Sequence, residues 1–345
     1  MPRKTLWLAA ALALASHAGS SIAAGQEKAR EGEPALVSIP TLTEDAAQRI
    51  VEAARRKASE LESGVVPPRK CRMHIYVLGR EGTLLAATQA LGAWPGSADI
   101  AYRKARTSWL FKLPTRTIGE LSRSDQAAKA PLYGIEISNG GLVSFPGGLP
   151  LFDPDGALTG SIGVSGDTVE KDEEVARSGL EAAKQLGRRG VVSLASLSQA
   201  AAQSILQAAA ARAAETDSGV YKAKTRMHIY VLGREGTVLA ATQSDDAWPG
   251  SADIAYRKAR TCWFFSFPTG FLGQLSRPDQ KEGAPLYGIE LSNGGLITFP
   301  GGLPILDSHG ESVGSIGVSG DTVANDHDIA QAGVDAFQKL VHASK

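Results

Sequence analysis

The chain has 345 residues, of which 36 are lysine or arginine and 36 are aspartate or glutamate. The formal charge at pH 7 is zero and no basic tract stands out, so nucleic acid and anionic membrane have little support as partners. The two cysteines, Cys71 and Cys262, do not occupy corresponding positions of the internal repeat described below. We therefore expect buried free thiols rather than a disulfide within each copy.

The first residues have the pattern of a secretory signal peptide. Arg3 and Lys4 precede an apolar run of about ten residues, and small residues lead up to Ala24. We expect cleavage after Ala23 or Ala24, so that residues 1–24 are removed. The apolar run is too short to span a bilayer, which takes about 20 residues. The sequence therefore predicts an exported, soluble protein, periplasmic or secreted, without a membrane partner.

The rest of the chain is an internal duplication. Met73–Thr83 recurs as Met227–Thr237, and Ala93–Thr107 recurs as Ala247–Thr261, in each case 154 residues later and without a gap. The repeat is too long for a solenoid, whose units have about 20–50 residues, and matches the usual size of a domain. Two complete copies of one domain are predicted, with paired, near-equivalent sites.

The domain boundaries follow from the repeat. We expect a disordered leader over residues 25–40, a first domain over residues 41–187 and a second over residues 193–345. The segment that joins the two domains, Gly187–Ser193, is short. This predicts that the two copies pack against each other through matching surfaces as a pseudo-dimer.

Each copy begins with an amphipathic helix, predicted over Thr43–Leu61 and over Ser198–Thr216. In the first copy a β-hairpin and a helix over Ser97–Phe111 follow, and the copy ends with a helix over Thr168–Leu186. Four strand-like segments lie between these two helices: Leu132–Ile137, Gly141–Phe145, Leu149–Phe152 and Gly160–Val164. Strands joined mostly by short turns indicate an antiparallel sheet covered by helices, an α+β fold.

One pair of side chains on the second helix has chemistry suited to a ligand. Tyr102 and Arg106 are four residues apart and share a helix face, and the second copy repeats them as Tyr256 and Arg260. A guanidinium group binds a carboxylate through two hydrogen bonds, so this face can hold a carboxylate or a propionate. The alternative is a solvated helix face with one aromatic side chain packed inward.

A glycine pair is the second candidate. Gly147 and Gly148 lie in a Phe-Pro-Gly-Gly-Leu-Pro run that recurs with Gly301 and Gly302. Paired glycines between strands allow positive φ and the close approach of another chain or a planar ligand. A tight β-bulge explains the same letters, so the sequence leaves both interpretations open.

No catalytic constellation accompanies these residues. The chain has no Cys-x-x-Cys, no His-Glu-x-x-His and no phosphate-binding loop. The segment Gly163–Ser165 is similar to Gly-x-Ser-x-Gly but lacks the spacing of a nucleophile elbow, and no histidine and acid accompany it as in a serine hydrolase. A binding protein is therefore a better expectation than an enzyme. His74 and His228 occupy matching strand positions and are the histidines common to both copies.

The order of these motifs resembles the GlcG/HbpS-like haem-binding family, whose domain also forms the C-terminal part of some corrinoid adenosyltransferases. The resemblance covers nearly all of each copy and rests on these segments of the first: Ile75–Val77, Lys104–Thr107, Gly147–Pro150, Gly160–Gly166 and Asp172. It implies a profilin-like α+β sandwich that oligomerises and binds haem or a related tetrapyrrole. The chain departs from the family at Thr83, where relatives commonly have histidine, and at Gln89 and Gln243, where they usually have arginine.

The resemblance and the chemistry above together nominate a set of cofactor-binding residues in each copy. They are His74, Tyr102, Lys104, Arg106, Gly147 and Gly148, with His228, Tyr256, Lys258, Arg260, Gly301 and Gly302. His74 and His228 are nominated as metal ligands to the haem iron. Tyr102 and Tyr256 are the alternative pair, because tyrosine is a known type of haem ligand.

Three functions follow from these observations. The first is an exported protein that binds haem non-covalently in two similar domains and assembles into a homo-oligomer of the tandem unit. The second is a periplasmic interaction or accessory protein that kept the fold without the ligand. The third is an enzyme that modifies haem or another small molecule, for which the sequence supplies no independent catalytic set.

Overall fold

The computed structural model describes residues 34–122, 130–276 and 284–343. The predicted signal peptide, residues 1–24, and residues 25–33 of the predicted leader lie outside this part of the chain. Within these three ranges, no helix combines the length and the apolar character that crossing a membrane requires.

The first half contains five strands and four α-helices among its described residues. In chain order they are β1 (Leu36–Leu42), α1 (Glu44–Glu60), β2 (His74–Gly79), β3 (Leu84–Gln89), α2 (Gly96–Phe111), α3 (Thr115–Ser122), β4 (Gly148–Phe152), β5 (Leu158–Ser165) and α4 (Val169–Leu186). Short 3₁₀ turns cover Ile135–Ile137 and Gly187–Gly190.

The second half repeats this order of elements. Its elements are β6 (Val191–Leu197), α5 (Gln199–Glu215), β7 (His228–Gly233), β8 (Val238–Gln243), α6 (Pro249–Phe265), α7 (Thr269–Ser276), β9 (Gly302–Leu306), β10 (Ser312–Ser319) and α8 (Val323–Ala343), with a 3₁₀ turn over Ile289–Leu291. The predicted duplication is therefore a duplication of structure as well as of sequence.

Each half has a four-stranded antiparallel sheet, in the order β3-β2-β5-β4 and β8-β7-β10-β9. In the first half, α1 and α4 pack on one face of the sheet, where Ile50, Ile75, Ile162 and Val175 form part of a continuous apolar core. Helix α2 packs on the opposite face against β5. The predicted α+β, profilin-like sandwich is confirmed.

The helix boundaries follow from local capping chemistry. The hydroxyl group of Thr43 accepts a hydrogen bond from the amide of Ala46 at 3.0 Å, and that of Ser198 accepts one from Ala201 at 3.1 Å. Thr168 caps α4 in the same manner. The helices predicted to begin at these three residues are confirmed to within one residue at their N-termini.

Glycine at position 163 allows α2 to approach the sheet closely. A Cβ atom there would lie 2.1 Å from the carbonyl oxygen of Ala101 and 2.4 Å from the amide nitrogen of Ala105. Gly317 has the same surroundings in the second half, with a Cβ position 2.1 Å from the carbonyl oxygen of Ala255. Gly163 and Gly317 thus set the distance between α2, or α6, and its sheet.

Two of the predicted strands are wrong. The residues of Leu132–Ile137 form turns and a 3₁₀ helix, and Gly141–Phe145 has no regular structure. Gly134, Asn139 and Gly140 all have positive φ, which breaks an extended conformation three times within seven residues.

Residues 36–40, expected in a disordered leader, instead belong to a strand that joins the two halves. Strand β1 pairs antiparallel with β6, from Leu36 opposite Leu197 to Leu42 opposite Val191. Leu36 packs against the core of the second half, although it precedes the first half in the chain. Because β1 and β6 are equivalent elements, their pairing has the symmetry of a two-fold contact.

In addition to the β1–β6 pairing, two reciprocal ion pairs join the halves. Arg80 pairs with Glu235 of the other half, and Arg234 pairs with Glu81 at 2.6 Å. These residues are equivalent across the repeat, so each half gives one arginine and one glutamate to the other. The predicted pseudo-dimer is confirmed.

Candidate functional site

The two halves enclose a shared cavity of about 750 Å³. Helices α2 and α6 both line it and contribute residues at equivalent positions to its walls. Those on α2 are Tyr102, Arg106, Trp109 and Leu110, and those on α6 are Tyr256, Arg260, Trp263 and Phe264. Its size lies within the range of about 300–1,000 Å³ usual for small-molecule and cofactor sites.

The spacing of residues along α2 explains how they reach one cavity. Tyr102, Arg106 and Trp109 follow one another at intervals of four and three residues, which places them on one face of the helix. Tyr102 also contacts Tyr76 edge to face, with ring centroids 6.1 Å apart. The indole nitrogen of Trp109 donates a hydrogen bond to the carbonyl oxygen of Arg80 at 2.8 Å, which fixes the ring beside the turn after β2.

The carboxylates at the rim of the cavity are already paired. Glu81 and Glu235 both line it, but Arg234 and Arg80 respectively form ion pairs with them. The side chains of Arg80 and Glu235 are only 12% and 22% exposed, so this pairing is shielded from solvent. The rim therefore carries no unpaired negative charge among the described residues.

Two guanidinium groups in the cavity have no acidic partner. Among the described residues, neither Arg106 nor Arg260 forms an ion pair; Arg260 donates a hydrogen bond to the carbonyl oxygen of Asn293 at 2.8 Å. Burial lowers the pKa of Arg260, and the positive charges of Arg257 and Arg106 act in the same direction against the opposing effect of Tyr256. Like charges held together in a partly buried cavity favour the binding of an anion there.

The nominated lysines do not line this cavity. Lys104 is fully buried, and its ammonium group donates to Asp172 at 2.6 Å and to the carbonyl oxygen of Val164 at 2.9 Å. Lys258 does the same with Asp326. Burial raises the pKa of Asp172 to about 6 and lowers that of Lys104, with the ion pair opposing both effects. Both hydrogen bonds of each ammonium group go to interior oxygens, so in this structure these lysines join the helix to the sheet and to the last helix of their half.

The glycine pairs surround these lysines. A Cβ atom on Gly147, whose φ is +121°, would lie 2.7 Å from the Lys104 ammonium nitrogen. A Cβ atom on Gly148 would lie 2.4 Å from the Lys104 carbonyl oxygen, and Gly301 and Gly302 have matching surroundings in the second half. The sequence left open the approach of another chain or a planar ligand, or a tight β-bulge; in the structure it is the chain's own backbone and lysine that approach these glycines closely.

The nominated histidines are also occupied. His74 is 4% exposed, and its ring nitrogens lie 2.9 Å from Ser97 Oγ and 3.0 Å from Gln89 Oε1. His228 has equivalent contacts with Ser251 and Gln243. An iron atom would have to displace one of these hydrogen bonds and enter the layer between α2 and the sheet. Within the described residues there is also no group of three or more His, Cys, Asp or Glu side chains that could hold a metal ion.

The structure thus unites four of the twelve nominated residues in one site: Tyr102, Arg106, Tyr256 and Arg260. Trp109 and Trp263, which lie one turn beyond the arginines on the same helix face, are not among the twelve. The sequence shows their spacing from the arginines in both copies. The sequence does not show that the two tyrosine–arginine pairs face one cavity, because that depends on how the halves pack.

The cysteines lie away from the cavity walls. Both are free and buried. Burial raises the pKa of the Cys71 thiol to about 11 and raises that of Cys262 as well, so both are held in the protonated, unreactive form. The expectation of buried free thiols is confirmed.

A sequence model of one protein family, described as haem degrading protein HbpS-like, matches the chain twice, at residues 42–181 and 197–335. The chain is 33% identical over 148 residues to an uncharacterized 15.0 kDa protein from the dhaT-dhaS intergenic region of Citrobacter freundii, covering 43% of this chain and 96% of that one.

Two further relatives carry more specific names. The corrinoid adenosyltransferase PduO of Salmonella typhimurium is 28% identical over 154 residues, which cover 44% of this chain and 40% of that enzyme. The chain therefore matches less than half of that enzyme's length. A crystal structure of a PduOC–haem complex is 29% identical, with 41% of this chain and 94% of that chain covered and a TM-score of 0.36.

Proposed function

Because this chain belongs to the HbpS-like family, we propose that it binds haem or a related tetrapyrrole non-covalently, as one molecule in the cavity shared by its two halves. The observation that carries this proposal is the pair of guanidinium groups, Arg106 and Arg260, which have no acidic partner among the described residues. Haem has two propionate groups, and each arginine is suited to bind one of them through two charge-assisted hydrogen bonds.

The walls of the cavity suit the rest of such a ligand. Trp109, Leu110, Trp263 and Phe264 offer apolar and aromatic surface for a planar macrocycle. Tyr102 and Tyr256 are the side chains in the cavity with an atom suited to the iron, since phenolate oxygen is a known axial ligand. Bound haem would supply an iron centre there, while the chain's own residues bind and orient the ligand and exclude water.

One shared site differs from the two separate sites expected from the duplicated sequence. The cavity has equivalent residues on both sides, so a single ligand with two carboxylates matches its symmetry. Two ligands would instead bring four carboxylates to three unpaired cationic side chains of the described walls, Arg106, Arg260 and Lys112. We therefore propose a stoichiometry of one tetrapyrrole per chain.

The proposal is tested by titrating the protein with haemin and following the Soret band. Replacing both arginines, Arg106→Ala with Arg260→Ala, should weaken binding by about 1–3 kcal/mol because two charged hydrogen bonds are lost. The control is Arg55→Ala with Arg212→Ala: these arginines lie on α1 and α5, pair with Glu52 and Asp328, and do not line the shared cavity. The control should bind haemin like the unaltered chain.

Two outcomes would count against this function. If the arginine variant and its control bind haemin equally well, the ligand does not use the shared cavity. If the unaltered chain leaves the Soret band unchanged, the alternative of an interaction protein without ligand is favoured. The surface for such a role would then have to be sought outside this cavity.

We also propose that the protein is exported, with cleavage after Ala23 or Ala24, and acts in the periplasm or outside the cell. The basic residues, apolar run and small residues at the N-terminus support this. Mass spectrometry of the protein from a cell that secretes it natively should give a chain beginning at Ala24 or Gly25. A full-length chain confined to the cytoplasm would contradict the proposal.

A further inference from the structure

The second half contains another cavity, of about 610 Å³, at a place where the first half has an ion pair. It lies between α7, the Phe-Pro-Gly-Gly run and the first turns of α8. Gly270 and His327 are among its lining residues. At the equivalent positions the first half has Arg116 and Glu173, whose side chains are joined at 2.5 Å.

The exchange of these two residues opens the space in the second half. In the first half, Arg116 reaches across from α3 to Glu173 on α4, and Arg177 holds the same carboxylate from the other side. Glycine at position 270 removes the crossing side chain completely, and His327 forms no ion pair with any described residue. The lining of this place therefore differs between the two halves and does not follow from the duplication.

Aromatic rings line the opened cavity. Phe271, which replaces Thr117 of the first half, is 42% exposed, and Phe299 is 40% exposed. Phe267 packs against Phe271, with ring centroids 5.3 Å apart, and orients it. Exposed phenylalanine rings around a concave surface are unusual in the absence of a ligand or partner, because their burial would be favourable.

The charge of this cavity is opposite to that of the shared cavity. Glu290 lies in its wall and accepts a hydrogen bond from Thr298 at 3.0 Å. Burial would raise the pKa of Glu290, but hydrogen bonds from Ser276, a backbone amide and Thr298 outweigh it and hold the pKa below its usual value. No lysine or arginine is among the described residues that line this cavity.

We propose that this cavity binds a small organic ammonium ion with an aromatic or aliphatic body. The ammonium group would pair with the Glu290 carboxylate and lie against the face of Phe271, since aromatic rings attract cations through their faces. The apolar body would cover Phe299 and Val323. This site is separate from the tetrapyrrole site and does not depend on it.

The start of α8 is the feature that would favour an anion instead, through its helix dipole. Its positive end is already balanced within the chain. Thr322 accepts a hydrogen bond from the amide of Asn325 at 3.2 Å, and Asp326 accepts one from Asp321 at 3.2 Å. The carboxylate of Glu290 therefore decides the sign of the ligand charge.

Calorimetric titration of the full chain with benzylammonium tests the proposal, with benzoate as a probe of the same shape and opposite charge. We expect saturable binding of one benzylammonium per chain and no binding of benzoate. The variant Glu290→Gln should weaken benzylammonium binding by about tenfold or more, because a charged hydrogen bond becomes a neutral one. The matched control is Glu136→Gln, which alters the equivalent carboxylate of the first half and should leave binding unchanged.

A second variant closes the cavity with the side chains of the first half. Gly270→Arg combined with His327→Glu restores the ion pair and should abolish binding, while Arg106→Ala with Arg260→Ala should not affect it. If the closing variant does not fold, the comparison of Glu290→Gln with Glu136→Gln still decides. Failure of the unaltered chain to bind benzylammonium, equal binding of benzoate, or equal effects of the two glutamine variants would overturn the proposal.

Discussion

The two halves share a buried lysine–aspartate ion pair, but only the first half has an arginine–glutamate ion pair beside it. Lys104 pairs with Asp172 just as Lys258 pairs with Asp326, and all four side chains are at most 2% exposed. Next to this contact, Arg116 and Glu173 of the first half become Gly270 and His327 of the second. A fully buried pair resists single replacement because the partner would be left as a buried, unpaired charge. Glu173 is also buried, but it pairs with Arg177 as well as with Arg116, so replacing Arg116 does not leave its carboxylate unpaired.

The largest effect is expected from breaking the shared contact. Lys104→Met leaves the Asp172 carboxylate buried without its cation and should lower the free energy of unfolding by about 3–5 kcal/mol. Lys258→Met should do the same to the second half. Urea denaturation of both variants measures this. A loss below about 1 kcal/mol in either variant would mean that the ion pair is not what holds α2, or α6, to the last helix of its half.

A second variant tests the close approach of helix and sheet that both halves share. Gly163→Ala places a methyl group against the carbonyl oxygen of Ala101 and should cost about 1–3 kcal/mol through overpacking. Gly317→Ala should cost about the same. Gly96→Ala is the control, because nothing lies within 4 Å of its Cβ position. Equal stability of all three variants in thermal denaturation would show that the backbone shifts easily at Gly163.

The ion pairs between the halves are expected to contribute less to stability than the buried lysine–aspartate pairs. A double-mutant cycle on Arg80→Ala and Glu235→Ala should give a coupling energy of about 1 kcal/mol, above the usual value for exposed pairs because both side chains are largely covered. The equivalent cycle on Arg234 and Glu81 should agree with it. A coupling energy near zero in both cycles would leave β1–β6 pairing and apolar packing as the forces that join the halves.

The smallest change in stability is expected from breaking the Arg116–Glu173 ion pair, which the second half lacks. Arg116→Ala should change the free energy of unfolding by less than about 1 kcal/mol, because Arg177 continues to pair with Glu173. The same chemical denaturation experiment measures it. If Arg116→Ala lowers the free energy of unfolding as much as Lys104→Met does, the Arg116–Glu173 pair matters as much for stability as the fully buried Lys104–Asp172 pair, which would contradict this account.

The sequence predicts those parts of the fold that depend on local chemistry. The helices begin where Thr43, Thr168 and Ser198 supply a capping oxygen, and the hairpin of β2 and β3 follows from alternating apolar residues and a glycine turn. The segment from Leu132 to Phe145 misled because its apolar residues suggest strands, whereas its glycines and Asn139 turn the backbone. Leu36–Leu42 was missed because its partner strand lies about 150 residues away, and no local pattern shows such a partner.

The candidate site was predictable only in part for the same reason. The helix period places Tyr102 and Arg106 on one face, and the structure confirms that placement. Lys104 lies only two residues before Arg106, and its burial against Asp172 depends on a contact 68 residues along the chain. That one cavity receives side chains from both halves depends on the pseudo-dimer packing, which the repeat indicated only in outline.

The stoichiometry of haemin binding tests the central claim most directly. Native mass spectrometry of the purified chain with increasing haemin should show one bound molecule per chain at saturation. The variant that lacks both Arg106 and Arg260 should need about 5- to 150-fold more free haemin for half saturation, which corresponds to the loss of about 1–3 kcal/mol. Two bound molecules per chain, with one lost when Arg106 alone is replaced, would contradict a shared site and restore one independent site in each half.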